Sequence, residues 1–142
     1  METLLLSIIF LIILILATIP SIVAFIVGAP FVPTPQKAVF KMLDLAKIKK
    51  GDKAYDIGCG DGRLVHTASK YYGASAVGFE LSPPVYLLAK LRGLIQRSGA
   101  KIVFGDFRRH SLKDADIIVC YMLPNTMRNF RPKFEKEMKK GA

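Results

Sequence analysis

The string Tyr55-Asp56-Ile57-Gly58-Cys59-Gly60-Asp61-Gly62-Arg63 combines an acid with three glycines at alternate positions. Glycines so spaced permit a tight turn, positive φ angles and close approach of backbone to a ligand, and a helix opening behind the turn offers free amide groups. Two more acids follow. Glu80, in VGFELSP, stands 24 residues after Asp56, and Asp106 follows KIVFG. A carboxylate ending the second strand of such a unit can accept both hydroxyls of a ribose. One ending the third is placed for an adenine amino group or a neighbouring amide. The chemistry these residue types suggest is nucleoside binding.

Converging those residues requires particular elements. Hydrophobic periodicity predicts helices over residues 36–48, 63–72, 83–97 and 124–140, and strands over 53–57, 75–80, 101–104 and 116–122. Ser82 is the expected N-cap of the third helix, with proline in its first turn. The unbroken IIVCYM run predicts a parallel strand covered on both faces. Alternating strands and helices imply an α/β, Rossmann-like doubly wound parallel sheet, which binds ligands at the carboxyl ends of its strands. Asp56, Glu80 and Asp106 all fall at such ends.

Two nucleotide readings compete. A dinucleotide fingerprint needs G-x-G-x-x-G, but this loop is G-x-G-x-G with Arg63 at the third glycine's place, so NAD fits poorly. The spacing D-x-G-x-G-x-G followed by an acidic second strand end resembles the class I S-adenosylmethionine-dependent methyltransferases. A cationic sulfonium also tolerates Asp56 and Asp61 where a diphosphate would be repelled. The resemblance implies that Asp56, Gly58, Gly60 and Gly62 take the amino-acid moiety and sulfonium region of S-adenosylmethionine. It gives the ribose to Glu80 and the adenine to Asp106 with Phe107. PFVPTP, DIGCGDGR, VGFELSP and YMLPN together resemble, more narrowly, the membrane-associated protein-lysine methyltransferases of the mitochondrial ATP synthase c-subunit and the adenine nucleotide translocase, and their prokaryotic relatives. That likeness implies that the segment from Phe31 to Thr34 helps close the active site against substrate. It also implies that Tyr121, Met122, Leu123 and Pro124 receive the acceptor amine, with Tyr121 as the catalytic candidate. Such sheets have seven strands. Four are expected here, so the sequence reads as a C-terminally truncated core whose fourth strand is an exposed edge.

Ahead of the core the chain changes character. Residues 4–27 carry no charged side chain and are apolar but for Ser7, Thr18 and Ser21, about 36 Å as a helix, enough to cross a hydrocarbon layer of about 30 Å. The chain lacks the basic n-region of a secretory signal. All 21 Lys and Arg residues lie at or beyond Lys37, with Lys37, Lys41, Lys47, Lys49 and Lys50 close behind the apolar segment. A single-pass anchor is expected, with the folded part on the cytoplasmic or matrix-equivalent side. The organisation is then an anchor over 1–29, a Pro-rich connector over 30–36 and an S-adenosylmethionine-binding core over 37–142.

With 142 residues and a formal charge of +10, the chain holds at most one small domain plus an appendage. Its aliphatic content excludes disorder. Cys59 and Cys120 have no CxxC partner, which argues against a disulfide framework and a zinc site, and no metal is expected. His66 and His110 read as satisfied or surface residues. The basic residues from Arg128 to Lys140 read as a solvated face that anionic lipid would attract. No aromatic-basic module for nucleic acid is evident. The expected partners are the bilayer and a membrane protein substrate, while oligomeric state is not encoded in any motif. Three functions fit: a membrane-anchored protein-lysine methyltransferase, a methyltransferase of a lipid or quinone-like molecule, or a truncated non-catalytic cofactor-binding module.

Overall fold

The computed structural model describes residues 1–27 and 31–141. Gly28, Ala29 and Pro30, which join the expected anchor to the connector, lie outside the described residues, as does Ala142. Helix α1 (Glu2–Val27) is followed by α2 (Gln36–Leu45), β1 (Lys53–Ile57), α3 (Arg63–Tyr72), β2 (Ser75–Glu80) and α4 (Pro83–Gln96). Then come β3 (Lys101–Phe104), a 3-10 turn (Phe107–Arg109), β4 (Ile117–Cys120) and α5 (Pro124–Glu137).

The four strands form one parallel sheet in the order β3-β2-β1-β4. Non-sequential neighbours and helical crossovers give the doubly wound, Rossmann-like arrangement expected. Central β1 sets Asp56 beside Gly78 of β2 and Val119 of β4. The sheet separates two cores. One holds Val39 and Leu43 of α2, Val65 and Ala68 of α3, and Ala89 of α4. The other joins Ile57, Phe79, Phe107 and Leu112 to Phe130 of α5, where the Phe107 and Phe130 rings meet edge to face at 4.8 Å. A T-shaped pair of this kind adds roughly 1 kcal/mol to the area it buries.

Local chemistry fixes the element ends. Helix α3 stops where Gly73 and Ala74 donate to the Ser69 and Ala68 carbonyls, a Schellman-type closure. Ser82 precedes α4, which carries proline in its first turn. Helix α2 ends earlier than residue 48, because Lys47 turns left-handed and the Lys49 amide donates to Asp52 at 2.8 Å. Helix α5 ends at Glu137, short of residue 140, with Met138 extended. The fourth strand is shorter than expected, Ile117–Cys120 rather than 116–122, but it has apolar cover on both faces: Ile117 and Val119 pack against the first core, Ile118 and Cys120 against the second. All four residues of β4 are half-buried, because β4 is a sheet edge among the described residues and pairs only with β1.

Candidate functional site

A cavity of about 360 Å³ opens at the carboxyl ends of the strands. Its floor is the glycine loop, anchored because the Gly58 and Cys59 amides both donate to the Phe79 carbonyl, at 3.0 and 2.9 Å. Gly60 and Gly62 have φ of 58° and 72°, the left-handed region in which side chains are strained. Space also demands glycine here. A Cβ on Gly60 would lie 2.8 Å from the Phe31 ring, and one on Gly62 would lie 2.7 Å from His66 Nε2.

Each acid of the loop region has a different environment. Glu80 is buried, and its carboxylate accepts from the Gly60 amide at 3.0 Å and the Ser82 amide at 2.8 Å. Burial pushes its pKa up, and the amide bonds only partly counter that. The Leu81 amide also acts on this carboxylate, and three amides do not exhaust the four lone-pair sites of its two oxygens, so Glu80 can brace the loop and still accept a ribose hydroxyl. Asp61 is also buried, yet Arg63 grips it with Nε and Nη2 at 2.9 and 2.6 Å while Arg92 Nη2 reaches it at 2.7 Å. Burial acts to raise Asp61, but the two guanidinium groups outweigh it and hold the carboxyl below its ordinary range. Asp56 has no such relief. Burial, then the charges of Glu80 and Asp61, lift its pKa to about 7.

Asp106 caps the 3-10 turn, accepting from the Arg108 amide at 2.9 Å and from Arg108 Nε at 2.7 Å. The Arg108 hydrogen bond holds its carboxyl low. Asp106 lines the cavity, as does Phe107, although the Phe107 ring is packed into the α5 core. Phe31 and Thr34 form the opposite wall, in an extended strap preceding α2. Tyr121 and Met122 line the cavity at the end of β4, and Tyr121 is 74% exposed. Pro124 stands apart from these residues, as the first residue of α5 outside the cavity lining.

The structure adds a residue that the spacing does not single out for a role. Arg63 Nη1 donates to the Thr34 carbonyl at 2.5 Å, so one guanidinium ties the strap to the glycine loop while pairing with Asp61. The available sequence signal is an arginine abutting an acid-rich loop. His66 is fully buried, its Nδ1 3.0 Å from Ser98 Oγ and its Nε2 2.9 Å from the Ala89 carbonyl. Because a carbonyl only accepts, Nε2 carries the proton. Burial lowers the His66 pKa, so it serves as a neutral core residue. Burial also raises the Cys59 and Cys120 thiols, which removes any thiolate nucleophile at neutral pH.

A parallel sheet carrying a glycine turn and acids at the ends of its first two strands defines a class I S-adenosylmethionine-dependent methyltransferase. The residues present fit that cofactor: the cavity has the size of a small-molecule site, Asp56 is a buried acid raised by every charge near it, and Glu80 has acceptor capacity to spare. The profile of the ANTKMT methyltransferase domain matches residues 56–142, and the chain belongs to that family. It is 36% identical over 124 residues to a protein-lysine N-methyltransferase of Saccharolobus islandicus strain REY15A, covering 84% of this chain and 76% of that protein. The human lysine N-methyltransferase of the ATP synthase C-subunit is 30% identical over 115 residues, covering 80% of this chain. The chain spans about half of that relative's length, 48%. Among solved structures, a Salinibacter ruber RNA methyltransferase in complex with S-adenosyl-L-homocysteine superposes with a TM-score of 0.73 at 31% identity, covering 76% of this chain and 72% of that one. A Thiobacillus denitrificans S-adenosylmethionine-dependent methyltransferase shares the fold at 17% identity, with a TM-score of 0.69 over 79% of this chain and 48% of that one.

Proposed function

We propose that this chain is a membrane-anchored protein-lysine N-methyltransferase acting on a membrane protein, with its core on the cytoplasmic or matrix-equivalent side. The observation that carries the reading is the strap. Phe31 to Thr34 walls the cavity, and only three residues separate that strap from the end of α1, the one helix among the described residues long and apolar enough to span a bilayer. None of residues 2–19 of α1 is buried against the core, as befits a segment solvated by lipid. A tether this short raises the effective concentration of a membrane-embedded acceptor at the cavity mouth without adding a contact to it. The similarity to lysine methyltransferases supports lysine as the acceptor.

Bound in the cavity, S-adenosylmethionine supplies a methyl group on a cationic sulfonium. The protein's own work is alignment and exclusion of water. Asp56 supplies negative charge against the cationic region, Glu80 holds the loop amides and accepts a ribose hydroxyl, and Asp106 faces the adenine side. Phe31 lies over Gly60 and keeps water from that wall. Tyr121 and Met122, with Phe31, receive the acceptor side chain, whose amine must be neutral to react. Docking of the acceptor protein over these side chains withdraws the amine from water, which disfavours the ammonium form and so promotes its deprotonation.

The test is transfer of radiolabel from S-adenosylmethionine, by the full chain in bilayers, into membranes fractionated into protein, lipid and RNA. Label in protein, recovered as methyl-lysine on hydrolysis, is expected. Label confined to lipid or to RNA would replace the substrate class. Cofactor binding with no transfer would leave a scaffolding module in its place.

A further inference from the structure

Helix α4 is packed inside out. Its buried residue is Ala89, and Gly93 lies so close to His66 that an added Cβ would sit 2.7 Å from the ring. The bulky residues point the other way. Leu87, Leu88, Leu91, Leu94 and Ile95 are all exposed, from 42% for Leu88 to 75% for Leu94. At 100° per residue these five, with exposed Pro84, occupy one stripe about 120° wide. Lys90 and Arg97, both exposed, lie along one border of it, while Arg92 on the other side turns inward to Asp61. An amphipathic helix normally buries its aliphatic stripe and leaves small or polar residues outside, so this inversion signals a partner for the stripe.

We infer that the α4 stripe is a second membrane contact, lying in the headgroup and upper acyl region of the bilayer beside α1. The inference rests on the reading of α1 as a span. Three observations favour lipid over protein as the occupant. The stripe is continuous with a lipid-type surface, since α1 contacts α4 in the fold and is itself apolar and unburied. Its basic border, on a chain of net charge +10, complements anionic headgroups. Five aliphatic side chains so exposed offer roughly 500 Å², short of the roughly 800 Å² per partner that a stable protein interface buries. The stripe also lies at the β3 end of the sheet, away from the β4 edge.

Docking there has a consequence for the site. Pro84 and Val85 of α4 line the cavity, and Arg92 pairs with Asp61 in the glycine loop. Lowering α4 onto the bilayer therefore brings the cavity mouth to headgroup level, where interfacial lysines of membrane proteins lie. The orientation is fixed by two contacts rather than by one.

The sequence contains no tryptophan, so single-Trp reporters in the full chain read each contact separately. Variants Leu91→Trp and Leu94→Trp test the stripe, Ile12→Trp tests the span, and Ser75→Trp, exposed at the amino end of β2 and so at the opposite end of the sheet from the cavity, serves as a solvent control. Each is reconstituted in phosphatidylcholine–phosphatidylglycerol vesicles with and without brominated acyl chains. The expected result is blue-shifted emission quenched by bromine at residues 91, 94 and 12, and red, unquenched emission at 75. Quenching at 12 with solvent-like emission at 91 and 94 would overturn the docking and leave the anchor standing. Blue-shifted but unquenched emission at 91 and 94 would assign the stripe to a second copy or another protein and overturn the lipid assignment. No quenching at 12 would overturn the anchor, and the docking with it.

Discussion

Cofactor binding should expel a proton from Asp56. Its pKa is about 7, raised by burial and then by Glu80 and Asp61, so the carboxyl is mostly protonated at pH 6. A cationic ligand beside it favours the ionised form and returns it toward the ordinary carboxylate value. With a free-state pKa of about 7, binding releases about 0.9 proton at pH 6 and about 0.5 at pH 7. Affinity falls correspondingly by about 50-fold, or about 2 kcal/mol, between pH 7 and pH 5. Isothermal calorimetry of S-adenosylmethionine at pH 6, in two buffers of different ionisation enthalpy, measures the released proton directly. Asp56→Asn should abolish both the release and the steep pH dependence while weakening binding at pH 8. Zero proton exchange at pH 6, or the same release from Asp56→Asn, would refute the assignment of Asp56 to the cationic part of the ligand.

The same group sets the pH dependence of the free protein. Because the folded pKa of about 7 lies above the unfolded 3.8, the native state holds the extra proton between those values. The contribution of Asp56 to stability is therefore full below about pH 4 and is lost as pH rises toward 7, by roughly 4 kcal/mol, opposite in sign to that of the carboxyls held low, such as Asp61 and Asp106. Thermal melts from pH 5 to 8 should show this decline in the free protein and a flatter profile in Asp56→Asn. Glu80→Gln replaces one acceptor oxygen by a donor facing either the Gly60 or the Ser82 amide, which costs about 1.5–3 kcal/mol of charge-assisted bonding. Calorimetry should show cofactor affinity down at least about tenfold, and affinity within twofold of the unmodified chain would count against a ribose role. Arg63→Lys keeps the charge but cannot serve Asp61 and the Thr34 carbonyl together, so the strap should loosen. Limited proteolysis near residues 31–35 should accelerate and cofactor binding should weaken by about tenfold, equivalent to about 1.4 kcal/mol. Unchanged proteolysis would show that the strap is held by packing alone.

Whatever depends on local backbone chemistry is legible in the sequence. Strands 53–57, 75–80 and 101–104 and the helix 63–72 coincide with β1, β2, β3 and α3, because glycine turns and hydrophobic periods mark their ends without help from distant residues. Asp56, Glu80 and Asp106 are readable as strand-end acids for the same reason. What needs three dimensions is the partner of each acid. Arg92 meets Asp61 across 31 positions, and Arg63 meets Thr34 across 29. No pattern in one chain predicts such a pairing. The run IIVCYM correctly signals apolar cover on both faces of β4 but overstates its length, because the strand stops at Cys120 where pairing with β1 ends at Ile57. Helix α4 is legible as a helix, but which of its faces turns inward is decided by His66, a residue of α3 packed against Gly93.

The loop region contains three buried carboxylates, and their compensation is uneven in a way that separates their tasks. Two guanidinium groups neutralise Asp61, so it is a structural anchor that links α4, the glycine loop and the strap. Backbone amides stabilise Glu80, which can brace the loop and still accept a hydroxyl. Nothing lowers Asp56, and its neighbours push its pKa the same way as its burial. A buried acid left in that condition destabilises the free protein at neutral pH, and a cation delivered by a ligand is what removes the penalty. If Asp56 holds the cationic part of the cofactor as proposed, the free energy withheld from folding there returns on binding. That reasoning favours a positively charged cofactor at this position over any anionic dinucleotide, independently of the glycine spacing.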